Sequence, residues 1–598
     1  MTAPGWKNIL PTPPPGGQLQ EAWMTSFDQP DASLLVEHLL PSLLGASHSL
    51  SQELQERTLF FGELSMALEA LHQRLTIISS PPREKGVTSQ YPWLWRYVDH
   101  FTVGAKSRAV QHAKLWAFHW KANETEFIEL HVSSTNLTSS AFKEQMQAGW
   151  QVLLQLGESP RKKNLRSWNT LVSFLEALGE SAGEVAQNRI ERLVTLLSRV
   201  QCPIGVTFIA SIPGGKSAAH QLKEFRASEI HVLTPTIGEW DERTLSAWST
   251  DIGIPLPKVH IKWISEMHLW AKRGGWALSN KASAALVESG VKLECLPNKP
   301  HFAPQHLDAH LRWSHAKLYL LRIGGKWRLL VTSANWSSSA WGAGAAKPRN
   351  FELGVVFETE WTELKMISQP FEPPHTVPFC VDCTEDDVHM SSLEWAEALW
   401  NGKSIKLIAR SSDASMAITA TIGFSVGSEE KLALVCGTAM KPWEDPMRTP
   451  TTARFTQGEE TLDVNILDIR PPSEFARTPM PEVDPSAAQA LREALLLQRY
   501  GGPAVDTESI ASPDVTRQTS GAGAPAVNYS VKAWLDARIA FNVVNQWQNA
   551  LDDAMSDPVL LDRVRLDGEE LRTLYERREG PAAALVVEEL DWRLNKEE

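Results

Sequence analysis

The sequence predicts an α/β protein: two similar α/β/α lobes forming one active site, then a β-sandwich-like domain and a helical C-terminal region. Three observations carry this. Strands alternate with helices through residues 21–378, the pattern of layered α/β folds. One short motif with its flanks occurs twice in that stretch. After residue 379 the texture changes to strands of alternating polarity and then to helices.

Residues 1–20 are rich in Pro and Gly and are expected to be a flexible N-terminus. The first lobe, residues 21–225, reads as a strand at WMTSF and a helix at LLVEHLLPSLLG. A strand at RLTIISS, a hairpin opening at His112 and a strand at IGVTFIAS follow, with helices near 139–156 and 165–200. The second lobe, residues 226–378, begins at EIHVLTPT, passes through a helix at DERTLSAW, and continues with KVHIKWI, VKLECL, a second hairpin and FELGVVFE. Residues 379–478 open with a short helix, SLEWAEALW. MAITATIGFS, KLALVCG and TLDVNILDI then alternate as half-buried antiparallel strands do. Residues 479–528 hold a helix, AAQALREALLLQRY, and a Gly/Ala/Ser/Pro-rich linker. Residues 529–598 read as helical. Leu535, Ile539, Val543, Trp547 and Leu551 form an i+4 stripe that packs on its own chain or docks a protein partner.

Composition bounds the function. The 598 residues suffice for several domains, and the formal net charge of −13 argues against a surface coated in basic groups for long nucleic-acid tracts. RKKNLR at 161–166 is a candidate local basic patch, or simply a solvated face. Five cysteines give no disulfide framework, and Cys380 and Cys383 form a single C-x-x-C without a second pair, so no zinc site is expected there. No segment reads as a signal or a membrane span, which fits a reducing cytoplasm, or the nucleus in a eukaryote. Tryptophan is abundant at 24 against 6 tyrosines; core packing accounts for most, leaving one or two for the cleft.

The repeated motif carries the chemistry. The first copy is Q-HAK-LWAF, with His112 and Lys114, followed by STNLTSS with Asn136. The second is S-HAK-LYLL, with His315 and Lys317, followed by VTSANWSSSAWG with Asn335. Residues two apart on a strand share a face, which sets each His beside its Lys. A hairpin then returns the Asn to both, and the longer His-to-Asn interval of the first copy is absorbed in its turn. An imidazole nucleophile, a second imidazole as acid/base, two ammonium groups and two amide donors suit attack on a phosphodiester. No carboxylate cage accompanies them, so no metal and no cofactor is expected in the reaction.

The paired H-x-K…N motifs resemble those of the phospholipase D superfamily, in which two such halves form one active site. Within it the chain is most similar to the tyrosyl-DNA phosphodiesterase branch. Where most members carry an Asp beyond the Lys, this chain has His119 and Arg322, and lack of that Asp is typical of the branch. NFELGVVF after the second motif, and FIASIPGG at 208–215, are also similar to that branch. The resemblance covers roughly residues 20–360. It implies that His112 is the nucleophile and His315 the acid/base, and that Gln147 and Glu352 orient the imidazoles. It implies a phosphodiesterase acting through a covalent phosphohistidine on nucleic acid, with DNA ends as substrate. A nuclease effector of a multi-protein antiviral system shares the same catalytic half. A phospholipase or phosphatidyltransferase does so too, but lacks support from a membrane segment or a basic amphipathic helix. A degenerate lobe pair that only binds DNA would need no nucleophile. His100, His119 and His131 are expected to pack or face solvent.

Overall fold

The period-two apolar runs of the first 360 residues form two sheets of the same topology. The computed structural model describes residues 13–46, 54–81, 91–143, 145–263, 278–295, 313–362, 392–424, 430–434, 437–442, 449–471, 496–502, 529–555, 557–578 and 581–595, apart from a few isolated positions. Cys380, Cys383, the 503–528 linker and most of the helix expected at 487–500 lie outside the described residues.

The first sheet contains β1 (Gln18–Thr25), β2 (Leu75–Ser79), β3 (Asp99–Thr102), β4 (Leu115–Ala122), β5 (Thr125–Ser133) and β6 (Gly149–Gln155), in the order β3-β2-β1-β4-β5-β6. Its three N-terminal strands are parallel and the rest antiparallel. β7 (Thr207–Ser211) follows in the chain. The second sheet has β8 (Glu229–Thr234), β9 (Val259–Trp263), β10 (Lys292–Cys295), β11 (Lys317–Ile323), β12 (Lys326–Thr332) and β13 (Asn350–Glu358). Its order, β10-β9-β8-β11-β12-β13, and its strand directions repeat those of the first. Each H-A-K motif therefore leads into the strand that lies antiparallel to the first strand of its own sheet.

The second sheet buries one face under a core of Val232, Ile261, Tyr319, Leu321, Leu330 and three tryptophans, Trp240, Trp248 and Trp336. The tryptophan rings meet at centroid separations of 5.2–6.0 Å, so these residues are packing groups, as expected of most of the 24. His119 pairs with Glu126, His131 with Glu129, and His100 with Ser79, all away from the repeated motif.

Four expectations are corrected. The helix near 139–156 is a single turn, Ser139–Lys143, followed by β6, whose side chains alternate in exposure along the sheet edge. IGVTFIAS contributes β7, which pairs with β13 of the second sheet and not with the first lobe. β1 begins at Gln18, inside the stretch expected to be a flexible N-terminus. SLEWAEALW is a strand, Leu393–Trp400, because pairing within a sheet outweighs the helix propensity of Leu, Glu and Ala. With Ser404–Ser411, Ile418–Phe424, Glu430–Leu434, Thr438–Pro442, Pro450–Gln457 and Glu460–Asp468 it makes one hydrogen-bonded path of seven strands in the region read as β-sandwich-like.

A second compact unit comprises residues 40–72, 400–404 and 468–598. Its helices Tyr529–Ala554, Pro558–Glu576 and Pro581–Asn595 enclose Val543, Trp547, Leu551, Leu571, Val586 and Leu590 together with Leu496 and Tyr500. Three members of the i+4 stripe are thus interior, while Ile539 is 39% exposed. The Trp547 indole donates to the Val564 carbonyl at 2.7 Å. No helix among the described residues is long and apolar enough to cross a membrane.

Candidate active site

His112 lies just before β4, and its backbone N–H donates to the Phe351 carbonyl of β13 at 3.0 Å. That bond fixes the residue against the second lobe. Its ring Nδ1 is 2.9 Å from the Glu352 carboxylate. Lys114 is fully buried and donates from Nζ to the His112 carbonyl at 2.7 Å. Phe27, beyond the end of β1, sets its ring edge-on to His112 at 4.9 Å and lies 5.5 Å below the Lys114 ammonium. An aromatic face there lowers the electrostatic penalty of a buried cation.

The second half mirrors the first. The His315 backbone N–H donates to the Met146 carbonyl at 2.9 Å, and its Nδ1 donates to the Ser134 carbonyl at 3.1 Å. Lys317, also fully buried, brings Nζ to 2.9 Å from His315 Nε2. Each imidazole is therefore held by a group from the opposite lobe. This is the arrangement that joins the two half-sites.

The supporting groups repeat as well. Ser333 Oγ donates to Glu352 at 2.5 Å and accepts from Leu353 N–H at 3.1 Å. Ser134 Oγ donates to Gln147 at 2.6 Å and accepts from Ala148 N–H at 3.1 Å. Gln147 in turn donates to Gln145 at 2.7 Å, so it braces Ser134 and not the His315 ring itself. The resemblance implied that Gln147 helps to orient an imidazole; it does so here at one remove, through Ser134, whose backbone carbonyl accepts from the His315 ring. Glu352 accepts additionally from Asn350 at 3.1 Å. Burial raises the Glu352 carboxyl, but His112, Lys114 and the hydrogen bonds from His112 and Ser333 outweigh it and hold it below the ordinary carboxylate value.

Asn136 follows β5, and its amide is fixed on both sides: Oδ1 accepts from Phe27 N–H at 3.1 Å and Nδ2 donates to Asp28 at 2.7 Å. Asn335 is buried two residues beyond Ser333, as Asn136 stands two beyond Ser134. Sequence reasoning missed Ser134, Ser333, Phe27 and Asp28. The first two had a signal, since S-x-N occurs in both copies. Phe27 and Asp28 had none, because only the strand order β1-β4 brings them to the motif.

Residues 309–403, which contain the second half-site, match the family model described as tyrosyl-DNA phosphodiesterase. The chain is similar to the tyrosyl-DNA phosphodiesterases of the phospholipase D superfamily. Among solved structures, yeast tyrosyl-DNA phosphodiesterase is 18% identical, with a TM-score of 0.37, 60% of this chain covered and 87% of that chain. A histidine-to-alanine mutant of the yeast enzyme gives 19%, 0.39, 59% and 85% for the same quantities. Polyphosphate kinase from Porphyromonas gingivalis is 13% identical, with a TM-score of 0.28, covering 58% of this chain and 41% of that chain. No curated protein matches the sequence.

Proposed function

We propose that the chain is a metal-independent phosphodiesterase that opens phosphodiester links at DNA ends through a phosphohistidine on His112. The observation that carries this reading is the 2.9 Å bond between His112 Nδ1 and the buried Glu352. A carboxylate there accepts the Nδ1 proton, which leaves the Nε2 lone pair as the nucleophile. Nε2 attacks phosphorus, the bond to the leaving oxygen breaks, and that oxygen takes a proton from His315 Nε2. Water then attacks the phosphohistidine, His315 accepts its proton, and the P–N bond breaks.

Lys114, Lys317, Asn136 and Asn335 take the non-bridging oxygens as charge builds on them. Lys317 sits 2.9 Å from His315 Nε2, so a phosphate that draws the ammonium away also releases that nitrogen for protonation. Asn136 gives one amide hydrogen to Asp28 and keeps the second for an oxygen of the substrate. DNA as substrate rests on the family match at residues 309–403. A DNA substrate agrees with a location in the cytoplasm, or in the nucleus of a eukaryote. Of the stripe read as packing on its own chain or docking a protein partner, Val543, Trp547 and Leu551 are interior, which supports the first of the two.

The test is intact-mass measurement after mixing His315→Ala with a 3′-phosphotyrosyl oligonucleotide. A covalent adduct should accumulate, and none should form on His112→Ala. Plain single strands, 3′-phosphate-blocked ends and lipid vesicles in the same assay separate end-processing from a nuclease of a defence assembly and from a phosphatidyltransferase. Adduct on His112→Ala but not on His315→Ala reverses the two roles; turnover of vesicles alone refutes the DNA reading.

A further inference from the structure

The second sheet carries a cluster outside the catalytic site that the reaction does not use. Glu229 and His231 are two apart on β8 and so point to one face. His260 on β9 is directly opposite His231 in the parallel register. The two imidazoles are stacked at 4.4 Å with an interplanar angle of 1°. Both direct Nε2 at the same carboxylate oxygen, Glu229 Oε1, from 2.9 Å and 3.3 Å.

We propose that Glu229, His231 and His260 form a binding site for a divalent transition ion of the zinc class, separate from catalysis. Two imidazole nitrogens and one carboxylate oxygen are a ligand set of that class, and open three-ligand sites admit water as the fourth ligand. With bonds near 2.0–2.1 Å, ligand atoms of a tetrahedral zinc stand about 3.3 Å apart. The two nitrogen-to-oxygen separations are already in that range, and all three ligand atoms lie within 4.8 Å of one another. Among the described residues this is the group of three His, Cys, Asp or Glu side chains with that convergence. The side chains retain 18–21% of their exposure, which gives solvent and an ion access.

The surroundings hold the ligands in place. Arg322 binds the other carboxylate oxygen at 3.2 Å, which turns Oε1 toward the rings. Trp327 meets His231 edge-on at 5.3 Å, and the Arg322 guanidinium lies 5.8 Å over Trp327. Such outer groups fix the orientation of ligating side chains. On binding, each Nε2 gives up its hydrogen bond to Oε1 and presents its lone pair, the ring proton relocating to Nδ1 through solvent. A small tilt of the parallel rings brings both lone pairs to one point. The ion then clips β8 to β9, the parallel pair at the centre of the second lobe.

The experiment uses the full chain, stripped with chelator and returned to metal-free buffer, then titrated with zinc sulfate by calorimetry. Metal content after gel filtration is read alongside. Because Cys380 and Cys383 offer another zinc-binding chemistry, Cys380→Ser/Cys383→Ser serves as background. In that background zinc should bind at one equivalent and raise the melting temperature. His231→Ala/His260→Ala should remove the equivalent and the rise. Glu229→Gln, the variant least disruptive to folding, should weaken zinc at least about tenfold. Phosphodiester turnover should be the same with and without the ion. Zinc content equal in the background and in Glu229→Gln and the double His variant overturns the proposal, as does a background protein that takes up no zinc.

Discussion

Glu352→Gln isolates the group on which the proposed nucleophile depends. The carboxylate accepts three hydrogen bonds, from His112, Ser333 and Asn350. A glutamine in the same place has one oxygen and one NH2 group, so at least one of those three donors must face another donor. If the NH2 turns to Asn350, His112 keeps its tautomer but loses a charged acceptor. Hydrogen bonds to charged groups contribute about 1.5–3 kcal/mol, against about 1 kcal/mol for neutral ones. If the NH2 turns to His112, the ring must carry its proton on Nε2, and the lone pair needed for attack is gone. Replacing the orienting carboxylate by its amide in a hydrolytic triad lowers kcat about 10⁴-fold for that reason.

The expected loss in the first chemical step therefore lies between about tenfold, where a charged acceptor becomes a neutral one, and about 10⁴-fold, where the tautomer is lost, or about 1.4–5.4 kcal/mol of transition-state stabilisation. Rapid-quench single-turnover measurement on a 3′-phosphotyrosyl oligonucleotide reads that step without product release. Ser333→Ala, which removes only one donor to the carboxylate, should lose up to about 10²-fold, on the scale of a single hydrogen bond to a charged group. A Glu352→Gln protein that melts normally and reacts within about threefold of wild type, a difference of under 1 kcal/mol, would refute the role given to the carboxylate.

Other consequences are independent of that one. Activity should survive excess EDTA, since the proposed steps use imidazole, ammonium and amide groups only; loss on chelation with recovery on adding a divalent ion contradicts them. Burial pushes Glu397 up to about 7 from 4.5. Its folded form thus keeps a proton that the unfolded chain gives up, so stability is full below about 4.5 and is lost as pH rises to about 7, by up to about 3 kcal/mol. Glu397→Gln should raise the melting temperature at pH 8 and leave it unchanged at pH 4. Gly568 packs against the Trp547 ring, where a Cβ would stand 2.4 Å from the indole; Gly568→Ala should destabilise the helical unit by about 1–3 kcal/mol, read in its thermal transition.

The parts of this protein that were legible in the sequence are those where one local pattern has one structural outcome. LWAF and LYLL have few alternatives to a buried strand, and the turns after them return Asn136 and Asn335 within a few residues. The first lobe's WQVLLQ was misassigned because a helix was extended from AFKEQ across Gly149, although its side chains alternate along a sheet edge. The strand at Leu393–Trp400 was unreadable for a deeper reason. Its residues favour a helix, and it lies between two sheet partners, of which Ser404–Ser411 is adjacent in the chain but Glu460–Asp468 is about sixty residues away. Phe27 and Asp28 belong to the same class: they reach the site through pairing of β1 with β4, about ninety residues on. Ser134 and Ser333 differ. Their repetition was visible, but a serine before a turn is ordinarily a local backbone partner, and nothing short of the sheet register shows that each supports the other lobe's histidine.

That register bears on how a duplicated site divides its labour. Ser134 and Ser333 occupy the same place: each accepts from the next strand's amide at 3.1 Å and donates to the side chain one residue before it. The lobes differ in what that side chain is. In the second lobe it is Glu352, which is charged and reaches across to His112; in the first it is Gln147, which is neutral and stops at Ser134, leaving His315 to a backbone carbonyl. A carboxylate behind an imidazole stabilises the positive ring of a phosphohistidine, whereas a carbonyl fixes the ring's orientation without adding charge and lets it surrender a proton more readily. The proposed nucleophile and the proposed acid/base thus follow from one carboxylate-for-amide difference in an otherwise repeated framework. Gln147→Glu probes this directly. A carboxylate there would lie beside Gln145 Oε1 and Ser134, and by charge it should slow proton donation from His315 while leaving attack by His112 intact, so that cleavage slows most for leaving groups of high pKa. Equal slowing for good and poor leaving groups would mean that the asymmetry does not assign the roles.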